Sequence, residues 1–333
     1  MRFGMKTGKI SENILKRSVL GKIKTHRSEI QKGAGVGEDC AFLAWEDAGS
    51  DLTAVSTQTF DLPVKRGSYY AIMSAANNLA ASGAVSAAVT LSLTLPQKTQ
   101  EPVLKELMEQ AEECCRELNI QIAGGHTQVS GAVNWPVVTA TAIGRFARRE
   151  SKSEPRGNKD VVMSKWIGIE GTAILACEKE EELLKRFSPR FLGAAREQVR
   201  YLSVEREAAI ALKSSVYAMH DVRSGGIFGA LWELSQKLGV GLSIDLKKIP
   251  VKQETIEICE FFNISPYELL SGGALIMVTE DGNGLTAALE KAGVSASVIG
   301  AVNDGNDKLI INGEETRYLG PVVSDEIYKI RFR

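Results

Sequence analysis

The sequence lacks the signals that would assign it to several common classes of protein. Its five cysteines are an odd number with no CxxC spacing, which predicts reduced, mostly buried thiols and not a disulfide framework. Forty basic residues stand against 41 acidic ones, so the net charge of −1 gives no general attraction to nucleic acid. The opening stretch, MRFGMKTGKI, contains no apolar run of the kind that export signals carry. We therefore expect a cytoplasmic protein that does not bind nucleic acid.

Long apolar runs and the common nucleotide-binding motifs are also missing. The most apolar stretch, 71–95, is broken by Asn77, Asn78, Ser82 and Gly83. This composition predicts a packed helix followed by a buried strand and not a membrane span. Neither a Walker A sequence nor a strand–GxGxxG–helix unit is present, so the common nucleotide folds receive no support.

What the sequence does contain is an alternation of strand and helix patterns over 333 residues, which is more than one small core requires. The alternation predicts an α/β (α+β) protein of two domains, 1–150 and 155–333, divided at the polar, basic segment 145–160. The six basic residues of that segment fit a solvated connector, and phosphate contact is the alternative.

The elements of both domains are predicted from the hydrophobic period. In the first domain we expect strands at 51–60, 85–96, 120–125 and 135–144, and helices at 67–83 and 99–119. In the second we expect strands near 161–163 and 173–177, a helix over about 203–213, and Cys259 within a helix.

Two short motifs of the first domain carry candidate site residues. In GVGEDCAF, glycines and two carboxylates precede a strand-like segment, which suits a turn that presents Asp39; an ordinary acidic turn fits the same pattern. In IQIAGGHTQVSG, the bare backbone of Gly124 and Gly125 at the end of a predicted strand suits the binding of an anion, and Thr127 adds a hydroxyl. His126 either belongs to this site or is hydrogen-bonded to a neighbouring carbonyl.

The third motif, HDVRSGGIFGALWEL, lies in the second domain. Ser224 fits the N-cap of a helix that Gly225-Gly226 open with exposed amides, an arrangement that favours phosphate binding. Asp221 and His220 directly precede it, where a carboxylate suits a cation that bridges phosphates. The alternatives are that the glycines serve packing and that Asp221 caps the helix.

In this order, GEDCA, NNLAASGA, AGGHT, HDVRSGGIFGALWELSQKLGVG and ISPYELLSGGALI resemble the aminoimidazole ribonucleotide (AIR) synthetase-related superfamily over roughly 6–300. Its members include that synthetase, thiamine-monophosphate kinase, selenophosphate synthetase and the HypE-type hydrogenase maturation protein. The sequence is most similar to the HypE-type and archaeal or clostridial AIR synthase-related branch. The resemblance implies a two-domain AIR synthetase-like fold, in which the N-terminal domain dimerises into a shared β-barrel and the C-terminal domain is α/β.

The same resemblance implies ATP as the cofactor, with its phosphates held through Mg²⁺, and the phosphorylation of an oxygen such as that of a carboxamide. The candidate catalytic residues are Asp221 and His220. The candidate phosphate-binding residues are Gly124, Gly125, Thr127, Arg223, Ser224, Gly225 and Gly226. The candidate metal positions are Asp39, Asp221, His126, Asn78 and Gln58.

Three of the metal positions depart from the family pattern, because Gln58, Asn78 and His126 stand where carboxylates are expected. Amide oxygens bring no charge and imidazole is a poor Mg²⁺ ligand, so binding should weaken by on the order of 1–2 kcal/mol per lost contact. The usual SEGAL motif reads Ser-Gly-Gly-Ala-Leu here, with Gly272 in the place of the glutamate. HypE-type proteins carry a cysteine in the tail, but the last cysteine here is Cys259, so we expect no thiocyanate formation on the tail.

These features lead to three hypotheses. The first is a homodimeric, HypE-like ATP-dependent enzyme of the ligase, dehydratase or kinase type, which activates a carboxamide or similar oxygen in a hydrogenase-maturation-like or small-molecule pathway. The second is a catalytically silent homologue that binds a nucleotide or another anion through a decayed metal site. The third is a transition-metal site, such as Zn²⁺ on His126 with Asp39 or Asp221.

Overall fold

A computed structural model describes residues 7–45, 51–147, 155, 157–214 and 216–332. It divides the chain into two compact units. The N-terminal unit comprises the described residues of His26–Gly33, Asp39–Arg149 and Phe332–Arg333. The C-terminal unit comprises those of Met1–Thr25, Ala34–Glu38 and Glu150–Arg331.

The secondary structure is mixed in both units. The strands of the described residues are β1 (Ile30–Lys32), β2 (Ala41–Leu43), β3 (Asp51–Phe60), β4 (Val85–Pro96), β5 (Gln121–Ser130), β6 (Val137–Ala147), β7 (Asp160–Ser164), β8 (Val216–Val222), β9 (Gly241–Asp245), β10 (Ala274–Thr279), β11 (Ala296–Asn303), β12 (Lys308–Asn312) and β13 (Glu315–Tyr318). The helices are α1 (Glu12–Ile14), α2 (Gly67–Ala81), α3 (Glu101–Leu118), α4 (Ile169–Glu178), α5 (Glu180–Leu183), α6 (Pro189–Arg196), α7 (Glu205–Ala211), α8 (Gly226–Leu238), α9 (Gln253–Phe262) and α10 (Gly282–Lys291).

The N-terminal unit is built on a six-stranded sheet in the order β1-β2-β3-β6-β4-β5. One face of this sheet is covered by α2, whose residues are all buried. Small side chains allow this close packing: a Cβ on Gly144 of β6 would lie 2.7 Å from a methyl group of Leu79. The other face is polar, with hydroxyl pairs across strands such as Thr57–Thr141 at 3.0 Å and Thr59–Thr139 at 2.9 Å. Strand β5 is the edge of this sheet.

The C-terminal unit is built on a seven-stranded mixed sheet in the order β13-β12-β9-β11-β7-β10-β8. Its core contains branched apolar side chains of the central strands, such as Val161 and Ile276, which are fully buried. Helix α8 adds Ile227, Leu231 and Leu234 to this core, the apolar face that the sequence predicts. Strand β8 is an edge strand and pairs with β10.

The fold prediction is confirmed as a mixed α/β protein of two domains, and most element predictions hold. Strands β3 and β4 have the predicted bounds, and the helical stripe over 99–119 is α3. The strand predicted near 173–177 is wrong, because this segment lies in α4. That helix is buried all round from Ile169 to Ala176, so its sequence shows no helical period.

The predicted boundary segment cannot be described in full, because residues 148–154 and 156 lie outside the described residues. Strand β6 ends at Ala147 and β7 begins at Asp160. The division into 1–150 and 155–333 stays a prediction. Among the described residues, no helix is long and apolar enough to cross a membrane.

All five cysteines lie among the described residues, and none of them forms a disulfide. Cys40, Cys114, Cys115 and Cys259 are buried, as the sequence predicts. Burial raises the pKa of Cys115 to about 11 and that of Cys259 to about 12. The Cys115 and Cys259 thiols therefore remain protonated and unreactive at neutral pH.

Candidate functional site

The third motif forms the connection from β8 to α8. Strand β8 ends at Val222, and His220 and Asp221 are the two residues before it. Both are buried, with 3% exposure for His220 and 8% for Asp221. Helix α8 begins at Gly226 with Gly225 as its N-cap, in a left-handed conformation with φ of 79°. Ser224 is therefore not the N-cap, and Asp221 lies within the strand and does not cap the helix. The end of the strand therefore carries an imidazole and a carboxylate on successive residues, and four residues separate them from the start of the helix.

His220 is held in place by an acidic residue of α8. Its Nε2 lies 3.2 Å from Oε2 of Glu233, about two turns into the helix. Lys9, from the segment before α1, forms an ion pair with the other oxygen of Glu233. Burial alone would raise the pKa of Glu233, but the hydrogen bond with His220 and the charge of Lys9 lower it to about 2. Glu233 is therefore a stable anion that orients the imidazole.

Arg223, predicted to hold phosphate, is bound by a carboxylate of the same unit. Its Nε and Nη2 donate to the two oxygens of Glu170 at 3.2 and 3.1 Å, a bidentate pair. Glu170 lies in the first turn of α4 and is 2% exposed. Burial on its own would lower the pKa of Arg223, but the Glu170 carboxylate raises it. The guanidinium thus stays charged, with its charge largely compensated inside the unit.

Glu170 also explains why residue 272 is a glycine. A Cβ on Gly272 would lie 2.2 Å from Oε2 of Glu170, so the carboxylate occupies the space that a side chain at 272 would enter. Gly272 stands where the SEGAL motif has a glutamate, and the space beside it is filled by the carboxylate of Glu170 from α4.

The amides that open α8 are engaged within the unit. The Gly225 N–H donates to Oδ2 of Asp325 at 2.6 Å, and the Gly226 N–H donates to the Arg223 carbonyl at 3.1 Å. A Cβ on Gly226 would lie 2.4 Å from the Tyr267 carbonyl oxygen, so the packing here requires glycine. The prediction of exposed amides is corrected, and the packing alternative describes this turn.

In the N-terminal unit, Asp39 is held by a chain of hydrogen bonds from α2 through β3. Asn78 Nδ2 donates to Ser56 Oγ at 2.9 Å, and Ser56 Oγ donates to the Asp39 carbonyl at 2.8 Å. Cys40 Sγ in turn donates to the Asn78 carbonyl at 3.2 Å. Asn78 is 6% exposed, so its amide has a packing role that fixes the backbone at Asp39. Its role as a metal ligand stays a prediction.

The Gly124-Gly125 pair does not end its strand. Strand β5 continues through His126 and Thr127 to Ser130, in parallel pairing with β4. The predicted anion-binding turn is therefore an extended segment at the edge of the sheet. A Cβ on Gly125 would lie 1.9 Å from the Leu91 carbonyl oxygen, which explains one glycine by close approach of the strands.

Gln58 and His126 do not converge within the sheet. Gln58 shares a row with Ala140, Leu91 and Gly125, whereas His126 lies in the next row. Because successive residues point to opposite faces and three strand spacings span roughly 14 Å, these two side chains of one chain do not share a metal ion. His126 is exposed on the polar face of the sheet.

The sequence motifs missed three carboxylates that organise the third motif: Glu170, Glu233 and Asp325. Glu170 and Asp325 lie 53 and 100 residues from the groups they bind, so local spacing carries no signal of these contacts. Glu233 lies on α8, whose start is recognisable in the sequence. Its place 13 residues after His220, on that helix, was the one signal in the sequence that could have predicted their contact.

The family assignment follows from two matches that cover most of the chain. Residues 37–146 match the AIR synthase related protein, N-terminal domain, and residues 157–312 match the AIR synthase related protein, C-terminal domain. The chain belongs to the AIR synthase-related family, as the sequence motifs indicate.

Individual relatives are distant. The chain is 26% identical over 247 residues to a putative hydrogenase expression/formation protein of Methanocaldococcus jannaschii, a match that covers 72% of this chain and 71% of that protein. It is 28% identical over 229 residues to thiamine-monophosphate kinase of Pyrococcus horikoshii, covering 67% and 70%. A crystal structure of the hydrogenase maturation protein HypE in complex with ATP has a TM-score of 0.69 at 17% identity, covering 95% of this chain and 96% of that one. This likeness shows the fold.

Proposed function

We propose that this protein is an ATP-using enzyme of the AIR synthase-related family that activates a carboxamide or similar oxygen by phosphorylation. The observation that carries the proposal is the buried His220–Asp221 pair near the end of β8, in which the His220 imidazole is held by Glu233 of α8. Two kinds of relative support the use of ATP: a phosphotransferase named thiamine-monophosphate kinase, and a HypE that was crystallised with ATP. The pathway is hydrogenase-maturation-like or acts on a small molecule.

In this proposal, the candidate Mg²⁺ ligands are Asp221 on the C-terminal unit and Asp39 on the N-terminal unit. Both offer carboxylate oxygens, which Mg²⁺ prefers, and the Asp39 backbone is held in place by Ser56 and Asn78. The ion would neutralise charge on the transferred phosphoryl group. His220, whose Nε2 faces Glu233, would orient or exchange a proton with the acceptor oxygen. The backbone of Gly124 and Gly125 and the Thr127 hydroxyl remain proposed phosphate contacts on the N-terminal unit.

One observation favours a second candidate, a homologue that binds a nucleotide without turning it over. The Asn78 amide donates to Ser56, and His126 and Gln58 lie in different rows of the sheet, so the replaced positions do not rebuild an acidic cluster within one chain. A protein of this kind would bind ATP with little dependence on Mg²⁺ and release no ADP.

Replacing Asp221 by asparagine tests the enzymatic proposal. Asp221→Asn keeps the shape of the side chain but removes the charge that offsets the cation, so Mg²⁺-dependent release of ADP from ATP should fall by at least about 100-fold. The measurement is a coupled ADP assay on the folded variant. Asp245→Asn is a matched control, because Asp245 caps a short helical turn through the Lys247 amide and asparagine caps equally well.

Equal ADP release by wild type and Asp221→Asn would contradict the role of Asp221. ATP binding by wild type without ADP release would instead establish the silent homologue.

We also propose that the protein is a homodimer formed by the N-terminal unit. Strand β5 is a ten-residue edge strand, and Val129 on it is 61% exposed. Unpaired edge strands of this length are templates for pairing with another chain, and the polar hydroxyl face of the sheet is equally open in the single chain. Light scattering should give twice the chain mass of 36.1 kDa at micromolar concentration. A mass of one chain at that concentration would contradict the dimer.

A further inference from the structure

Residues 7–16, the N-terminal strap, lie against the middle of α8. Nε1 of Trp232 donates to Oε2 of Glu12 at 2.8 Å, and the Glu12 carboxylate also pairs with Lys16 at 2.5 Å. Nζ of Lys308 lies 4.8 Å from the centre of the Trp232 ring. The strap is therefore fastened to α8 at Glu12.

The strap is fastened a second time at its start. Ser324 Oγ donates to the Thr7 carbonyl at 2.9 Å. Gly8 has a φ of 103°, a positive value that favours glycine, and a Cβ at this position would lie 2.9 Å from the Tyr328 ring. Lys9 follows directly, so the backbone is held on both sides of it.

Lys9 is linked to the imidazole of the candidate site through one carboxylate. Its Nζ pairs with Oε1 of Glu233, whereas Oε2 of Glu233 lies 3.2 Å from Nε2 of His220. The exposure of these side chains falls from 58% for Lys9 to 20% for Glu233 and 4% for His220. A carboxylate that is bound through both oxygens cannot rotate without losing one of these contacts. Removal of the ammonium would leave Oε1 to water and allow the carboxylate to turn away from the imidazole.

We propose that Lys9 is a positioning residue, through which the N-terminal strap sets the orientation of the His220 imidazole for catalysis. The inference rests on the proposed function, in which His220 acts on the acceptor oxygen. An ion pair with a largely exposed partner contributes little to folding, so the effect of Lys9 falls on the geometry of the site. That geometry matters because a displacement of about 1 Å can reduce a rate by on the order of 100-fold.

The test replaces Lys9 and measures ADP release with Mg²⁺ by the full chain. Lys9→Met keeps the length of the side chain but removes its charge, so kcat should fall at least about tenfold while KM for ATP stays within about twofold. Lys9→Arg restores a cation and should return kcat to within about threefold of wild type. Lys16→Met is the matched control, because Lys16 is an exposed lysine of the same strap whose partner is Glu12. It should change kcat by less than about twofold.

Histidine ring signals in NMR spectra provide a readout that does not depend on turnover. The His220 signals are assigned by their absence from the spectrum of His220→Gln. Lys9→Met should move and broaden these signals, because Lys9 is linked to the ring through Glu233. Lys16→Met should leave them as in the wild type. Both lysine variants should keep the wild-type midpoint of thermal unfolding.

Unchanged His220 ring signals in Lys9→Met would overturn the proposal. An equal loss of kcat in Lys16→Met would also overturn it, because Lys9 would then only help to hold the strap in place. These results differ from a failure of the proposed function. A wild type that releases no ADP would contradict the proposed function, whereas the ring signals would still show whether Lys9 orients His220.

Discussion

Glu170→Gln should lower the free energy of unfolding by about 3–5 kcal/mol, the cost of removing one partner from a buried ion pair. The side chains of Glu170 and Arg223 are 3% and 13% exposed, and two hydrogen bonds join them. Glutamine keeps the size of Glu170 but meets the guanidinium with one oxygen and one N–H group. Arg223 is then left buried beside a neutral amide. Chemical denaturation of wild type and variant measures the difference.

An exposed ion pair of the same chemical type provides the control. Glu101 and Lys105 lie 2.9 Å apart on α3, and their side chains are 74% and 68% exposed. Glu101→Gln should cost under about 1 kcal/mol. Gly272→Ala probes the buried pair from the other side, because its methyl group would lie 2.2 Å from Oε2 of Glu170. The double variant Gly272→Ala with Glu170→Gln should lose less free energy of unfolding than the sum of the two single variants. Similar losses in the free energy of unfolding for Glu170→Gln and Glu101→Gln would contradict the stabilising role of the buried Glu170–Arg223 pair.

Gly125→Ala should lower the free energy of unfolding by about 1–3 kcal/mol more than Gly124→Ala. Both glycines are in β5 with φ of 152° and 157°, so the backbone cost of a side chain is shared by the two variants. Only at Gly125 does a Cβ meet a fixed atom, the Leu91 carbonyl oxygen at 1.9 Å, whereas nothing lies within 4 Å at Gly124. The pair of variants therefore isolates the close approach of β4 and β5.

Denaturation midpoints in urea, converted with a common slope, measure this difference. An equal loss for both glycines would show that β5 lies farther from β4 than the register indicates.

The sequence predicts those parts of the fold whose period is visible along the chain. Strand β3 alternates buried and exposed residues, and α3 carries an apolar stripe, so both were predicted from their neighbours in sequence. The period disappears in α4, where every side from Ile169 to Ala176 is buried, and a strand was predicted in its place. It also fails at Gly124-Gly125, which reads as a strand end because glycine is rare within strands.

In the candidate site, too, features set by neighbours in sequence could be predicted, whereas features set by distant residues could not. His220 and Asp221 were found because they directly precede a helix start with recognisable glycines. The sequence could not show that the Gly225 N–H at this helix start is already hydrogen-bonded, because its acceptor, Asp325, lies 100 residues away. The role of Asn78 likewise depends on Ser56 in another element, and residue type alone suggested a metal ligand.

Thermal unfolding of the wild-type protein with millimolar ATP, with and without Mg²⁺, tests most directly whether the chain uses ATP through a metal. A ligand at about 100 times its Kd stabilises the folded state by roughly 2.7 kcal/mol, which raises the midpoint by a readily measured amount. The proposed function, in which a divalent cation holds the phosphates of ATP, predicts a raised midpoint that requires Mg²⁺. An unchanged midpoint in both conditions would contradict the proposal that this protein uses ATP.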